Sequence, residues 1–239
     1  MRLDLYISQK LWVSRNRAQF FVQEQKVKVN QKVITKVAYL IKENDRVETD
    51  IDEINYVSRS AIKLKWFLET EKIELVWKYA LDIGSSTGGF TQILLEKWIQ
   101  KVYSLDVGTS QLHPTLQNHP KIVSIENTDI RKFEKNNLKE PLDIIVCDVS
   151  FISLSVVIDA IIALMEEHTK TILLFKPQFE VGKENLTKLW VPKDEKIVEE
   201  KMSNFCLILQ KKWVKIPLIK NSVLTWENGN KEIFILIEK

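Results

Sequence analysis

Leu81-Asp82-Ile83-Gly84-Ser85-Ser86-Thr87-Gly88-Gly89-Phe90-Thr91 is the stretch that decides the fold. An apolar strand pattern, Tyr79 to Ile83, runs into a glycine-bearing loop, and a helical pattern over 88–98 follows. Glycines at such a turn let the backbone approach a ligand closely before the helix begins. The spacing is not G-x-G-x-x-G, and no Lys-Ser/Thr pair follows. Neither the dinucleotide fingerprint nor the phosphate-binding Walker loop fits.

Outward from this loop the elements alternate. Strand patterns stand at 101–106, 122–125, 142–148 and 171–175, with further strands near 214–219 and 231–237. Helical patterns fill 59–72, 153–167 and 194–211. This alternation predicts an α/β, doubly wound, Rossmann-like sheet whose ligands sit beyond the C-terminal strand ends. Asp82, Asp106, Asp129 and Asp148 fall at or near successive strand ends. An acid before the loop and a second ending the next strand suit S-adenosylmethionine. Asp106 would accept from its ribose hydroxyls, and Asp82 would face the methionine end or its water shell. The expected cofactor site is Asp82, Gly84, Ser85, Ser86, Thr87, Gly88, Gly89, Phe90, Asp106, Val107, Asp129 and Asp148. Pro177 biases Lys176 toward extended backbone, so this lysine leaves the end of the fifth strand in a fixed direction.

Composition narrows the class. The 239 residues are 45% hydrophobic and 28% charged, an ordinary globular balance that excludes disorder and collagen-like structure. The longest apolar run, Val156 to Met165, is short and broken by Asp159, so no transmembrane helix is expected. The start, Met1-Arg2-Leu3-Asp4, lacks the apolar core of a signal peptide. Cys147 and Cys206 give neither metal spacing nor a disulfide framework, and Cys147 falls in an apolar strand as a buried thiol. No metal site and a cytoplasmic location are expected. The net charge of +3 is unevenly spread: residues 1–40 carry eight basic and two acidic side chains. A basic module on a near-neutral body points to an anionic polymer partner.

That module reads as a helix on Leu3, Leu5, Tyr6 and Leu11, then a second helix over 15–22 capped by Ser14. Two strand pieces follow around Asn30-Gln31 within Val27–Val33, and another strand at Asp45–Thr49. Arg2-Leu3-Asp4, Ser14-Arg15 with Ala18, and Val27-Lys28-Val29-Asn30-Gln31-Lys32-Val33 resemble the S4 RNA-binding domain. The resemblance implies contacts to structured RNA through phosphates and shape. The expected RNA-binding residues are Arg2, Arg15, Arg17, Lys26, Lys28, Asn30 and Lys32, with Arg59 beyond the module. The expected division is a small α+β domain over 1–55 and the α/β domain over 56–239.

A wider resemblance covers nearly the whole chain. Tyr56-Val57-Ser58-Arg59 with Lys63-Leu64, the 81–91 loop, Asp106-Val107-Gly108, Asp148-Val149-Ser150-Phe151-Ile152-Ser153-Leu154 and Lys176-Pro177-Gln178-Phe179-Glu180 are similar to the TlyA family. This family joins an S4 domain to an FtsJ-like methyltransferase. The resemblance implies S-adenosylmethionine-dependent 2′-O-methylation of cytidine in ribosomal RNA, with ribosomal subunits as partners; some members are called haemolysins. It also implies a Lys-Asp-Lys-Glu set, which falls on Lys63, Asp148, Lys176 and Glu232. A ribose hydroxyl is a weak acid and needs a base or strong orientation. A lysine acts as a base only where burial or a second cation favours its neutral form. Lys176 is the expected base, with Lys63 as that second cation or as the group fixing the ribose. Asp148 and Glu232 would orient the lysines and the substrate. Two other classes stay open: a non-catalytic RNA-binding or ribosome-assembly factor retaining the fold, and a membrane-active haemolysin. No stable membrane association is expected, since no strongly amphipathic basic helix supports one.

The chain departs from the family pattern in a concentrated way. Ser60-Ala61 stands where glycine is frequent, and the loop over 182–194 diverges. Glycine is 6 of 239 residues, while tryptophan is 7; glycine usually makes up about 7% of a chain. Trp12, Trp77, Trp98, Trp190, Trp213 and Trp226 fall at turns and helix stops where glycine is expected, and Trp66 does not. A bulky residue in the left-handed region costs about 1–2 kcal/mol. One explanation is UGA codons that the source organism reads as glycine; the other is tryptophan at surface turns.

Overall fold

The computed structural model describes residues 1–11, 15–42, 44–49, 56–225 and 229–239. Trp12, Ser14 and Trp226 lie outside the described residues, as does the side chain of Arg17. The chain divides into two compact units, Met1–Val57 and Ser58–Lys239.

In the first unit, helices α1 (Leu3–Leu11) and α2 (Arg15–Gln23) pack on a three-stranded antiparallel sheet of β1 (Val27–Val29), β2 (Lys32–Val33) and β3 (Val47–Thr49), in the order β2-β1-β3. Leu3 and Ile7 on α1 and Ala18, Phe21 and Val22 on α2 follow helical spacing. They close over Val27, Val29 and Val47 to form the core. The tight β1–β2 turn holds Asn30 and Gln31 at φ of 51° and 67°. Asparagine tolerates this region through local side-chain bonding.

The second unit holds, among its described residues, a seven-stranded sheet in the order β6-β5-β4-β7-β8-β10-β9. Its strands are β4 (Tyr79–Ile83), β5 (Lys101–Leu105), β6 (Ile122–Ile125), β7 (Ile144–Cys147), β8 (Lys170–Phe175), β9 (Lys215–Thr225) and β10 (Lys231–Glu238). β4 to β8 run parallel; β4, β5, β7 and β8 lie inside the sheet and are almost wholly buried, while β6 is a partly exposed edge strand. β9 and β10 are antiparallel additions; β10 inserts between β8 and β9. β9 extends further than the sequence pattern indicated, because its outer edge is exposed and the apolar periodicity there is weak.

Helices α3 (Ser60–Thr70), α4 (Gly89–Glu96), α6 (Leu154–Leu164) and α8 (Glu195–Lys211) cover the sheet, and short α5 (Pro114–Gln117) and α7 (Pro177–Glu180) sit in loops. α6 illustrates the logic. Ser153 caps it by accepting from Ser155 N–H at 3.1 Å, and Leu154, Val157, Ile158, Ile161 and Leu164 present one buried stripe. Cys147 is buried at the end of β7, and burial pushes its thiol up to about 12, so it is inert at neutral pH.

Candidate active site

The loop after β4 is held open by hydrogen bonds from Gly84 and Ser85 N–H to Leu105 O, at 2.9 and 3.1 Å. Gly84 has φ of 77°, and a Cβ there would stand 2.9 Å from Asp148 O. Only glycine lets this loop run so close to the end of β7. At Gly89, the first residue of α4, a Cβ would fall on the Ser58 and Ser60 hydroxyls. The start of α3 is therefore packed against the start of α4, which brings Lys63 into the site.

Two clefts open beyond the strand ends. The larger, about 480 Å³, is lined by apolar Ile83, Leu105, Ile130 and Val157 together with Asp106 and Asp129. Asp106 Oδ2 accepts from Ser86 N–H and Oδ1 from Gly108 N–H, both at 2.8 Å, so its carboxylate is fixed at the lip of the cleft. Asp129 pairs with Arg131, whose side chain holds its carboxyl down to about 2. The smaller cleft, about 280 Å³, is lined by Arg59, Lys63, Ser85, Thr87, Phe90 and Lys176. Gly84, Ser86, Asp148 and Ser150 line both. They form the wall between the clefts.

The four residues expected to carry the chemistry converge. Lys63 forms an ion pair with Glu232, and both are buried. Lys176, 5% exposed, pairs with Asp148 at 2.5 Å and donates to Ser150 Oγ at 2.8 Å. Burial pushes the Glu232 carboxyl above the usual range; Lys63 and Lys176 pull it down, and Asp148 pushes it up. The two pairs thus sit within electrostatic reach of each other. Lys176 has the extended backbone that Pro177 favours (φ −114°, ψ 99°). Glu232 arrives beside it because β10 runs antiparallel to β8, with Ile233 opposite Phe175.

Other expected residues are placed differently. Asp82 lines neither cleft. It is fully buried beneath the loop, where Thr91 Oγ1 donates to its Oδ2 at 2.6 Å and also contacts Ser104 Oγ at 2.7 Å. Burial, with repulsion from Asp148 and Asp106, outweighs the Thr91 bond and raises Asp82 to about 7. Gly88 and Gly89 shape the loop without lining either cleft. In the N-terminal unit Asn30 is engaged in its own turn, donating to Asp45 at 2.8 Å and accepting from Arg46 N–H at 2.9 Å. Lys32 is exposed, Lys26 and Lys28 half-buried.

Sequence reasoning missed Ser150, which lines both clefts, and Glu180, which braces the loops that carry the site without lining either cleft. Glu180 accepts from Ser153 Oγ at 2.5 Å and Leu154 N–H at 2.8 Å, clasping the loop after β7 to the helix after β8. Burial raises its carboxyl above the usual range. The available signal was position: both stand within four residues of a strand-end charge, in the two motifs that define the resemblance.

The residues fit S-adenosylmethionine. Asp106 offers fixed acceptors for a diol, the apolar strand ends offer a face for a flat ring, and the close approach at Gly84 leaves room for a chain running toward Asp148.

Comparison with known proteins agrees. The FtsJ-like methyltransferase family matches residues 56–239, and the S4 domain matches residues 1–47. The 23S rRNA (cytidine-2′-O)-methyltransferase TlyA of Campylobacter jejuni is 41% identical over 98% of both chains. Hemolysin A of Brachyspira hyodysenteriae is 37% identical over 85% of both. The 16S/23S rRNA (cytidine-2′-O)-methyltransferase TlyA of Mycobacterium tuberculosis is 32% identical, over 93% of this chain and 83% of its own. With two paired, buried lysines lining the smaller cleft at the end of the sheet, and an S4 domain before it, this chain belongs to the TlyA family of FtsJ-like methyltransferases.

Proposed function

We propose that this chain transfers the methyl group of S-adenosylmethionine to the ribose 2′-hydroxyl of a cytidine in ribosomal RNA. The observation that carries this reading is the pair of lysine–carboxylate contacts, Lys176–Asp148 and Lys63–Glu232, whose two buried lysines line the smaller cleft. Asp106 and Asp129, in the larger cleft, would hold the nucleoside of the cofactor, and Gly84 and Ser86, which line both clefts, would hold the rest. The cofactor supplies a methyl already activated on a sulfonium, so these residues need only position the acceptor and manage one proton.

The smaller cleft receives the ribose. Arg59 at its rim meets a phosphate of the incoming strand. Lys63, fixed by Glu232, presents N–H groups to the ribose oxygens. Lys176 in its neutral form takes the 2′-hydroxyl proton as the oxygen attacks. Asp148 and Ser150 hold its Nζ in place and then stabilise the ammonium that forms. The N-terminal unit docks the ribosomal subunit through phosphates. The place of action is the cytoplasm, where ribosomal subunits are assembled.

The test is methyl transfer from labelled S-adenosylmethionine to unmethylated small and large subunits, with nucleoside analysis. A 2′-O-methylcytidine product, lost in Lys176→Ala, supports the reading. Cofactor binding without product on either subunit moves it to a binding or assembly factor. Membrane lysis without methyl transfer would favour the haemolysin reading; no helix among the described residues is long and apolar enough to cross a membrane.

A further inference from the structure

The N-terminal unit contains a buried carboxylate that the methyl-transfer reading does not use. Asp4, in the first turn of α1, is 0% exposed. Its Oδ1 accepts from Arg2 Nε and from Leu5 N–H, each at 3.0 Å. Its Oδ2 accepts from Arg2 Nη2 at 3.0 Å, Arg15 Nε at 2.9 Å and Gln19 Nε2 at 3.0 Å. Three side chains, Arg2 from the chain start and Arg15 and Gln19 from α2, are thus gathered on one carboxylate of α1. The arginine side chains remain 40% and 47% exposed. A guanidinium has five N–H donors, so Arg2 and Arg15 keep donors facing solvent after satisfying Asp4. Two arginines held side by side with spare outward donors match the oxygens of a phosphodiester.

Arg2 and Arg15 are among the RNA-binding residues that the family resemblance implies; we propose that Asp4, with Gln19, is the positioning residue that presets them as a clamp for an RNA phosphate. Holding the guanidiniums in place beforehand removes much of the side-chain entropy that binding would otherwise cost. The inference rests on the RNA substrate reading and deepens it.

Charge and positioning make opposite predictions for Asp4→Asn. The substitution removes one negative charge from a basic unit, so bulk electrostatics alone would tighten RNA binding. Positioning predicts weaker binding. The measurement is the affinity of the full chain for unmethylated ribosomal RNA at several salt concentrations, with methyl-transfer kinetics alongside. Asp4→Asn is expected to weaken binding about five- to tenfold, raising KM for RNA while leaving kcat within about twofold. Arg15→Lys keeps the charge but loses the fork, and is expected to weaken binding similarly. Folded Asp4→Asn that binds as tightly as wild type, or tighter, overturns the clamp. Should Asp4→Asn fail to fold, Arg15→Lys decides, and undiminished binding by it overturns the clamp equally. Wild-type protein that methylates no RNA would instead overturn the function while leaving the binding comparison readable.

A second inference stands on backbone geometry alone. Of the five described tryptophans, Trp66 lies in α3, and Trp77, Trp98, Trp190 and Trp213 all have φ of 60° or 61°. Each occupies a slot that glycine fills by preference. Trp98 and Trp213 follow the ends of α4 and α8, where Ile99 N–H reaches back to Leu94 O and Val214 N–H to Leu209 O, the Schellman closure. Trp77 is the third residue of a turn closed by Lys78 N–H on Leu75 O at 3.3 Å. Trp190 ends a three-residue loop closed by its own N–H on Thr187 O at 3.0 Å. The indoles are 70%, 69%, 41% and 91% exposed in chain order, so burial does not offset the strain. We infer that these four positions, and Trp12 and Trp226 with them, are glycine in the native polypeptide, encoded by UGA. The codons decide it: UGA at all six is expected, and UGG at any of them overturns the inference there. Glycine at the four described positions should also raise Tm by about 5 °C or more. A lower Tm would overturn the conformational argument.

Discussion

Both units of this protein bury a carboxylate against cations, and they use the pairing in opposite directions. In the N-terminal unit the carboxylate is buried and the cations lie out: Asp4 is sealed while Arg2 and Arg15 reach solvent. In the catalytic unit both partners are in, with Lys63 and Glu232 exposed by 6% and 0% at their side chains. The choice of cation follows from the task. Arginine stays charged and keeps forked donors after one side is occupied, which suits docking on phosphates. Lysine is a point charge that can give up its proton once desolvated, which suits chemistry on a hydroxyl.

If that contrast is right, damage to the inward pairs should hurt turnover and stability far more than damage at the surface. Lys176→Ala has the largest expected effect, a roughly hundred- to ten-thousand-fold loss of methyl transfer with cofactor binding retained. Labelled transfer and calorimetric titration check the two halves. Full activity in this variant would break the comparison outright.

Asp82 gives the next effect. Its folded value of about 7 lies above the ordinary 3.8. A carboxyl raised in the folded state adds stability while it holds its proton. That contribution is complete below the unfolded value and is lost as pH rises toward 7. Wild type should therefore lose roughly 4 kcal/mol relative to Asp82→Asn between pH 4 and pH 8. Denaturant midpoints of both proteins across that range test the sign; a difference that stays flat would put Asp82 outside the titrating core.

Glu232→Gln removes one partner of a buried pair and leaves the Lys63 charge uncompensated. A loss of about 3 kcal/mol in unfolding free energy is expected. Lys212→Ala is the surface counterpart. Lys212 and Asp159 lie 2.6 Å apart, but their side chains are 36% and 72% exposed. The change should stay below about 1 kcal/mol. Equal losses in the two variants would show that burial does not separate the pairs.

Much of this arrangement was legible in the chain itself. The strand-loop-helix at 79–96 and the alternation of strand patterns at β5, β7 and β8 with helical stretches announced a doubly wound sheet, because strands that alternate with helices pair in parallel. Lys176 was legible because Pro177 restricts it. Asp82 read as a ligand to the cofactor because a strand-end acid before a glycine loop has that signature. The structure turns it inward onto Thr91, a contact made nine residues further along the chain and invisible to local pattern.

By itself, then, the sequence determined the parallel strands, the glycine loop, the basic helical module and the residue types of the site. Those features follow from short-range rules of periodicity, propensity and turn geometry. Only the tertiary structure decided that β10 enters antiparallel beside β8, carrying Glu232 to Lys63 across 169 residues of chain. It alone decided which way each charge faces. Pairing between distant strands and the burial of an ion pair depend on what the rest of the core leaves space for, and no local stretch carries that information.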